Sequence, residues 1–260
     1  MLFENVKSKL VTLTVVFAAL AVSGRALEWM VTPLKVERAM AVERPAVSPG
    51  AGALFGWLGG FRALAADFLW LRMHARWETR DLPATQTLMG LTTTVDPRPI
   101  YFWLNGARIL AYDLPAWRIE AEGGYATVPA ERQQVIDTEQ ARLALRRIAT
   151  ARQVHPASAT LWIEQANIEL NRLHDTAAAA ESYRHAWAQP GAPYYAARLH
   201  AELLRRLGRK AEAYAWLRAL HAKLPKDDEG AGAALVLSRI RELERELATS
   251  PAETYQPRSE

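Results

Sequence analysis

The sequence predicts an all-α protein built from stacked helix pairs, and three observations carry this prediction. A pattern of small and large residues recurs along the chain at intervals of 34 to 35 residues. Runs in which Val, Ile or Thr alternate with polar residues are nearly absent, which argues against a β-sheet. Half of the 260 residues are hydrophobic and 23% are charged, so the chain is able to bury a sizeable core.

The recurring pattern is small–x3–large–x2–small–x4–Pro, and it resembles the second helix of a tetratricopeptide repeat (TPR). Its three copies contain Ala144, Ile148, Ala151 and Pro156; Ala179, Tyr183 and Ala186, with Pro190 and Pro193 near the proline position; and Ala213, Leu217, Leu220 and Pro225. Units of this kind bury their apolar faces only by stacking on neighbours. The pattern therefore predicts a TPR-like α-solenoid of about four helix pairs plus a C-terminal capping helix.

The first 31 residues resemble a membrane segment. Residues 10–24 carry no charge and follow Lys7 and Lys9. As a helix they rise about 22 Å, less than a hydrocarbon core of ~30 Å, but Arg25 can snorkel and residues 26–31 can extend the span. We expect one uncleaved N-terminal membrane helix in residues 1–31, with a cleaved signal segment and a buried helix as the alternatives.

The topology is not decided by charge, because basic residues lie on both sides of the uncharged segment. Signal-like segments usually deliver the chain that follows them to the outside. We therefore expect a single-pass protein of the cell inner membrane, with the repeat domain on the periplasmic side.

We predict that residues 32–60 form a linker or a membrane-proximal collar, since they contain three prolines and five glycines. The repeat domain then occupies residues 61–248. Its first helix begins near Phe61 and carries an apolar stripe of Leu64, Phe68, Leu71 and Ala75. A second helix over residues 82–95 ends at Asp96-Pro97, because proline disfavours a helical residue before it.

The remaining elements follow from the same spacing rules. A helix from Pro99 to Tyr112 contains Gly106, which is small enough for a paired helix to approach closely. Prolines and glycines predict an insertion loop over residues 113–131, with a short helical turn within it as an alternative, and a long helix follows over residues 132–153. Two helix pairs near residues 158–190 and 193–225 come next, and Gly208 suits a tight turn with positive φ. A charged helix over residues 233–247 caps the stack, and residues 249–260 predict a disordered tail.

Three segments resemble a group of bacterial TPR proteins that carry an amino-terminal membrane segment. They are GGFRALAADFLWLRMHARWE, VDPRPIYFWLNGARILAYD and QPGAPYYAARLHAELLRRLGRKAEAYAWL. The resemblance implies an α-solenoid held at the cell envelope, and such proteins often serve as assembly factors for membrane machinery. The chain departs from the repeat consensus at Ile163 and Ala197, where Trp is usual, and at Asn167, where a small residue is usual.

The composition and the absence of known motifs argue against catalysis, metal binding and nucleic-acid binding. The net charge is +4, but basic and acidic residues are interspersed, so we expect a solvated surface and no nucleic acid partner. The absence of cysteine excludes disulfides, thiolate zinc sites and Cys nucleophiles. The six histidines form no metal-ligand spacing, and no phosphate-binding loop or G-x-S-x-G motif is present. We therefore expect no metal, no cofactor, no catalytic residue and no enzymatic activity.

A binding surface is predicted on the exposed face of each pair's first helix, where TPR proteins commonly contact their ligands. For each residue, ordinary surface exposure is the alternative. Transferring that face by register gives Trp103; Leu161, Glu164, Ile168, Asn171 and Arg172; and Tyr195, Arg198, Glu202, Arg205 and Arg206. Aromatic residues and arginines are frequent anchors of interfaces.

A second candidate is the polar site formed by Arg62, Asp67 and Trp70 in the first helix of the repeat domain. Charged residues in an apolar helix indicate either a structural pair or a docking site. Five-residue spacing is poor for pairing on one helix, so a partner on a neighbouring helix is expected.

Together these features predict a membrane-anchored TPR scaffold that binds a protein partner and helps to organise an envelope complex of the secretion, pilus or transport type. The partner is expected to lie in the groove as an extended segment or a helix. One alternative is a small-molecule-binding or enzymatic envelope protein with a pocket near Arg62, Asp67 and Trp70. Another is a purely structural subunit of a larger membrane assembly.

Overall fold

A computed structural model describes residues 61–225 and 228–257, and every regular element in these ranges is a helix. The chain divides into two compact units, residues 1–98 and 99–260. The predicted membrane segment (residues 1–31) and linker (residues 32–60) lie outside the described residues. Within the described ranges, none of the helices has the length and apolar character needed to cross a membrane.

The first unit contains a helical hairpin of α1 (Arg62–Glu78) and α2 (Leu82–Val95). Asp81 begins α2, since its carboxylate accepts a hydrogen bond from the backbone N–H of Ala84 at 3.1 Å. Helix α1 buries Ala66, Trp70 and Met73. The predicted stripe is the other face, since Leu64, Phe68 and Leu71 are 63%, 59% and 67% exposed. The apolar spacing thus identified the helix but not the side that it buries.

The second unit begins with a long irregular helix. It comprises α3 (Ile100–Arg108), a π-helical turn (Ile109–Asp113) and α4 (Leu114–Ala121). The predicted insertion loop over residues 113–131 is therefore wrong up to residue 121. Pro115 lies in the first turn of α4, directly after the π-helical turn, where the regular α-helical hydrogen-bond ladder is already interrupted. The loop itself is confined to residues 122–129, where Gly123 and Gly124 have φ of 114° and 85°.

The other predicted helices are present within four residues of their expected ends. They are α5 (Ala130–Val154), α6 (Ala159–Asn171), α7 (Thr176–Trp187), α8 (Tyr194–Arg206), α9 (Lys210–His221) and α10 (Ala233–Glu246). Gly208 joins α8 to α9 with φ of 78°, as predicted. From α6 onward, the most extensive packing joins each helix to the next one along the chain, whereas α5 packs most extensively on α3.

The core follows the same order. One cluster of buried residues joins α6, α7 and α8 around Ala179 and Tyr183, and another joins α8, α9 and α10 around Leu217 and Ile240. Ala144, Ile148, Ala151, Ala179, Tyr183, Ala186, Ala213, Leu217 and Leu220, the pattern positions other than the prolines, are all buried. The recurring pattern therefore marks the buried side of α5, α7 and α9.

The carboxyl-terminal segment packs against this core, so the prediction of a disordered tail is wrong for residues 249–257. Tyr255 is only 9% exposed, and its backbone N–H donates to the carboxylate of Glu244 at 2.6 Å. The hydroxyl of Tyr214 donates to the same carboxylate at 3.0 Å. Residues 258–260 lie outside the described residues.

Candidate functional site

A groove with a volume of about 270 Å³ lies between α8 and α10, with Leu217 of α9 at its base. We call it the α8–α10 groove. Its lining residues are Tyr195, Arg198, Leu199, Ala201, Glu202, Arg205, Leu217, Leu235, Val236, Arg239, Glu242 and Leu243. Four of the residues predicted to contact a partner (Tyr195, Arg198, Glu202 and Arg205) line this groove.

The walls of the groove result from the amphipathic character of the two helices. Helix α8 buries Ala196, Ala197, Leu203 and Leu204 on one side and turns the residues beside them toward the groove. Helix α10 buries Val236, Ile240 and Leu243. Each wall leaves one large apolar side chain accessible, because Tyr195 is 44% exposed and Leu235 is 52% exposed. The groove thus offers apolar surface that is not covered within the described chain.

Ion pairs neutralise part of the rim. The Glu202 carboxylate accepts hydrogen bonds from Arg205 Nε and Nη2 at 3.0 Å and 2.9 Å, and from Arg206 Nε at 3.1 Å. The bonds from Arg205 hold the pKa of Glu202 below its ordinary value, although partial burial opposes them. On the other wall, Arg239 donates to Glu242 at 2.5 Å.

Arg198 is arranged differently. Its Nη1 donates to the backbone carbonyls of Ala231 at 2.9 Å and Gly230 at 3.5 Å, just before α10 begins. Both acceptors are neutral, and Arg198 forms no ion pair with any carboxylate in the described part of the chain. The turn that presents these carbonyls is held by Gly232, whose φ of 65° places it in the left-handed region. Arg198 is therefore a positioned cation at the edge of the groove.

The prediction of an open surface on α6 is wrong for Leu161, Glu164 and Ile168, whereas Asn171 is exposed and Arg172 is half-buried. Leu161 and Ile168 are 0% exposed and belong to the core. Glu164 is also buried, and its carboxylate accepts hydrogen bonds from Arg108 Nε and Nη2 at 2.8 Å and 2.7 Å. Glu164, which repeat register selected as a partner contact, is thus paired within the protein, since Arg108 of α3 lies against it.

The other predicted residues near α6 are also engaged in internal contacts. Asn171 hydrogen-bonds the hydroxyl of Tyr112, whose pKa is raised by burial. Arg172 pairs with Asp137 and lies 5.7 Å from the centre of the Tyr112 ring. These contacts join α6 to the π-helical turn and to α5, so they stabilise the packing of consecutive helices.

Trp103 was predicted to extend the binding face, but only 6% of it is exposed. The guanidinium of Arg147 lies over its ring, with 5.1 Å from Cζ to the ring centre. Arg147 also donates to the carbonyl of Phe102 at 3.0 Å, and burial lowers the pKa of Arg147 to about 10. Trp103 therefore contributes to the contact between α3 and α5 and not to an open surface.

Arg62, Asp67 and Trp70 do not converge on a common site. Arg62 Nε donates to the carbonyl of Val95 at 3.0 Å, so its contact is with the neighbouring helix α2. Asp67 is exposed and makes no salt bridge to a described residue, whereas Trp70 is buried. Arg62 also interacts electrostatically with Asp96. Burial raises the pKa of Asp96, but hydrogen bonds from Arg98 and the positive charge of Arg62 hold it below its ordinary value.

The wall of the groove that α10 forms was not predicted from the sequence. Helix α10 was interpreted as a solvated cap because it is rich in arginine and glutamate. Leu235, Arg239 and Glu242 nevertheless recur at intervals of four and three residues, which places them on one helical face. That spacing could have identified α10 as the partner of α8.

The groove is equipped to bind apolar surface. Its polar groups are one phenol, three guanidinium groups and two carboxylates, and both carboxylates are held in ion pairs. Over residues 61–225 and 228–257, no cluster of three or more His, Asp or Glu side chains is placed to hold a metal ion. Shape and charge complementarity are therefore the properties that this site can supply.

A comparison of the chain with protein-family models and with curated proteins finds no match.

Proposed function

We propose that this chain is a membrane-anchored, TPR-like scaffold that binds a protein partner in the α8–α10 groove and helps to organise a cell-envelope complex. The observation that carries the proposal is the groove itself. It is apolar at its base, open to solvent, and lined by four residues that repeat register alone selects as partner contacts (Tyr195, Arg198, Glu202 and Arg205). Side chains of this kind are frequent interface anchors.

The solenoid interpretation is supported by the order of packing. Helices from α6 onward pack mainly on their chain neighbours, and the core includes separate clusters that follow the chain. In this arrangement α6 and α8 are the first helices of successive pairs, and the capping helix α10 takes the place of the next first helix. A groove between two first helices is where a superhelical stack binds its ligands.

The membrane anchor and the periplasmic side are part of the proposal, and they rest on the uncharged segment of residues 10–24. Because the chain lacks cysteine, one introduced cysteine reports topology without interference. We expect an Ala177→Cys variant to react with a membrane-impermeant maleimide in intact spheroplasts. Protection in intact spheroplasts, with labelling only after lysis, would place the repeat domain on the cytoplasmic side.

The scaffold role is tested by affinity purification from native membranes followed by quantitative mass spectrometry. We expect Leu235→Glu, which places a charge on the apolar wall, to reduce recovery of a specific partner about tenfold or more while helicity is unchanged. The matched control is Leu247→Glu, since Leu247 is also partly exposed (37%) but does not line the groove. Equal recovery with both variants would contradict the groove as the partner site.

The same experiment separates the scaffold from a purely structural subunit. If the chain is a structural subunit, it should purify with all members of one assembly, and Leu235→Glu should reduce the recovery of all of them together. If it is a scaffold, the variant should reduce the recovery of one specific partner. The small-molecule or enzymatic alternative near Arg62 gains no support, because Arg62, Asp67 and Trp70 have separate surroundings.

A further inference from the structure

We infer that the partner segment in the α8–α10 groove is an amphipathic helix with a row of apolar side chains and an acidic residue that pairs with Arg198. This inference rests on the proposed function and specifies the chemistry of the partner. It follows from three properties of the groove: its apolar base, its unequal charge and the shortage, in its described lining, of acceptors for the N–H groups of an extended backbone.

The apolar row follows from the base and walls. Leu199, Leu217 and Leu243 lie along the groove, and Tyr195 and Leu235 stand on opposite walls with about half of their surface in water. Burying that surface is favourable at roughly 25 cal/mol per Å². A partner that fills the volume of about 270 Å³ must insert side chains rather than lie across a flat surface.

The acidic residue follows from the charges on the rim. Three arginines and two glutamates line the groove, which leaves one positive charge in excess. Arg205 and Arg239 are each matched by a glutamate on the same helix, whereas the partners of Arg198 among the described residues are backbone carbonyls. A guanidinium has five N–H donors, and a carboxylate is the acceptor that matches it best. The uncompensated charge of the groove is thus located at Arg198.

The helical conformation follows from what the lining lacks. An extended peptide exposes backbone N–H and C=O groups, which need hydrogen-bond partners when they are buried. The described lining contains no Asn, Gln, Ser or Thr side chain, and its two carboxylates, which could accept from backbone N–H groups, are already occupied by arginines. Its guanidinium groups and phenol can donate to carbonyls, so it is the N–H groups of an extended segment that are short of acceptors. A helix satisfies its own backbone internally, so it can enter the apolar groove without that penalty.

The test uses three synthetic helical peptides that share one row of leucines and differ at a single flanking residue, which is Glu, Gln or Lys. Their affinities for the full chain are measured by fluorescence anisotropy. We expect the Glu peptide to bind about tenfold more tightly than the Lys peptide. In Arg198→Gln the three affinities should converge, whereas Arg198→Lys should retain the preference for Glu because the positive charge remains.

Two control variants fix the site. Arg206→Gln should keep the preference for Glu, because Arg206 is exposed, bonds to Glu202 and does not line the groove. Leu235→Glu should abolish binding of all three peptides, which separates groove binding from partition into detergent. Equal affinities for the wild-type chain, a preference for Glu that survives Arg198→Gln, or failure of all three peptides to bind would each overturn the inference.

The partner in the cell is identified with a benzophenone probe on a single cysteine at residue 235 or 177, in native membranes. We expect the probe at residue 235 to crosslink a protein segment with an apolar helical row and an adjacent Asp or Glu. Reversal of that acidic residue should abolish crosslinking to the wild-type chain and restore it to Arg198→Glu. A crosslinked extended segment, a lipid product, or a protein captured only from residue 177 would overturn the inference and leave the scaffold role standing. Failure of both probes to capture a protein would count against the scaffold role itself.

Discussion

At the scale of single residues, His200 has the most demanding environment. It is 3% exposed on α8, its Nδ1 lies 2.7 Å from the carbonyl oxygen of Ala180, and its ring centre is 4.4 Å from that of Trp216. A ring nitrogen this close to a carbonyl oxygen donates its hydrogen, so the neutral ring carries its proton on Nδ1. Burial lowers the pKa of His200, although the Ala180 carbonyl and the nearby Glu181 oppose the change.

This environment predicts a loss of stability in acid. The unfolded chain protonates His200 near its ordinary pKa of about 6.5, whereas the folded chain does so only at lower pH. The contribution of His200 is fully present above that pH and is lost as pH falls toward the depressed folded pKa. In urea unfolding between about pH 7.5 and pH 5, we expect His200→Gln to lose less free energy of unfolding than the wild type. Glutamine keeps a donor for Ala180 but does not titrate.

The control for this measurement is the same pair of proteins unfolded at about pH 7.5, where His200 is neutral, so that a difference between them at that pH reports packing and not titration. If His200→Gln and the wild type had the same dependence, then burial of His200 would not contribute to acid sensitivity. Glu181, Arg184, Arg209 and Glu212 surround the same cavity, so salt should alter the size of the effect but not its sign.

A comparison of the predicted and observed positions of residues on α8 and α6 shows what repeat register can predict. Register placed Tyr195, Arg198, Glu202 and Arg205 on one face of α8, and they line one groove. Register placed Glu164 of α6 at the position that matches Arg198 of α8. The Glu164 carboxylate, however, accepts a hydrogen bond from Arg108, which lies 56 residues earlier in the chain. A local pattern defines a helical face, whereas the neighbour that covers it is set by long-range packing.

At the scale of elements, the contact between α3 and α5 depends on Gly106. A Cβ atom at this position would lie 2.5 Å from Nε of Arg147 and 2.8 Å from its Cζ. The sequence predicted that Gly106 allows a paired helix to approach closely. The structure shows a side chain in that space, since the Arg147 guanidinium lies there between the Phe102 carbonyl and the Trp103 ring.

A pair of glycine substitutions tests this contact. Gly106→Ala should reduce the free energy of unfolding by about 1–2 kcal/mol, because the displaced Arg147 loses its carbonyl acceptor and its aromatic contact. Gly90→Ala in α2 should instead increase it by about 0.5–1 kcal/mol, since no described atom beyond its chain neighbours and its own helix backbone lies within 4 Å of the added Cβ, and alanine favours a helix. Chemical denaturation measures both. Destabilisation by both variants would show that the effect is not specific to Arg147.

Element boundaries were predictable where they depend on neighbouring residues. Asp96-Pro97 ends α2 and Gly208 turns the chain into α9, as the sequence indicated. The helix through Pro115 was not predictable from these rules, because proline stops a regular α-helix. Here the π-helical turn of Ile109–Asp113 ends just before Leu114, so Pro115 falls in a new first turn.

At the scale of the whole molecule, the second unit is completed by its last residues. Residues 249–257 pack where α9 and α10 would otherwise end the core, and Tyr255 joins the cluster that contains Leu217 and Ile240. Glu244 gathers donors from Arg241, Tyr214 and the backbone of Tyr255, which hold its pKa low although burial raises it. This packing was not predictable from the sequence, because Tyr255 is a single aromatic residue flanked by polar residues.

Removal of this segment distinguishes a solenoid from a bundle. In a solenoid each helix pair depends chiefly on its neighbours, so damage at one end stays local. A chain that ends at residue 248 should lose amide protection in α9 and α10, while α6 and α7 keep most of theirs. Hydrogen exchange measured by mass spectrometry resolves these helices separately.

A chain that ends at residue 257 is the matched control, and its exchange should equal that of the full protein because Tyr255 and its contacts remain. The decisive quantity is how protection falls with distance from the cut. A gradient from α10 back to α6 supports stacked pairs, each held by its neighbours. An equal loss of protection in every helix of the second unit would mean that one cooperative core holds it together. The pattern of residues that recurs every 34 to 35 positions would then describe how helices pair and not how the pairs are arranged.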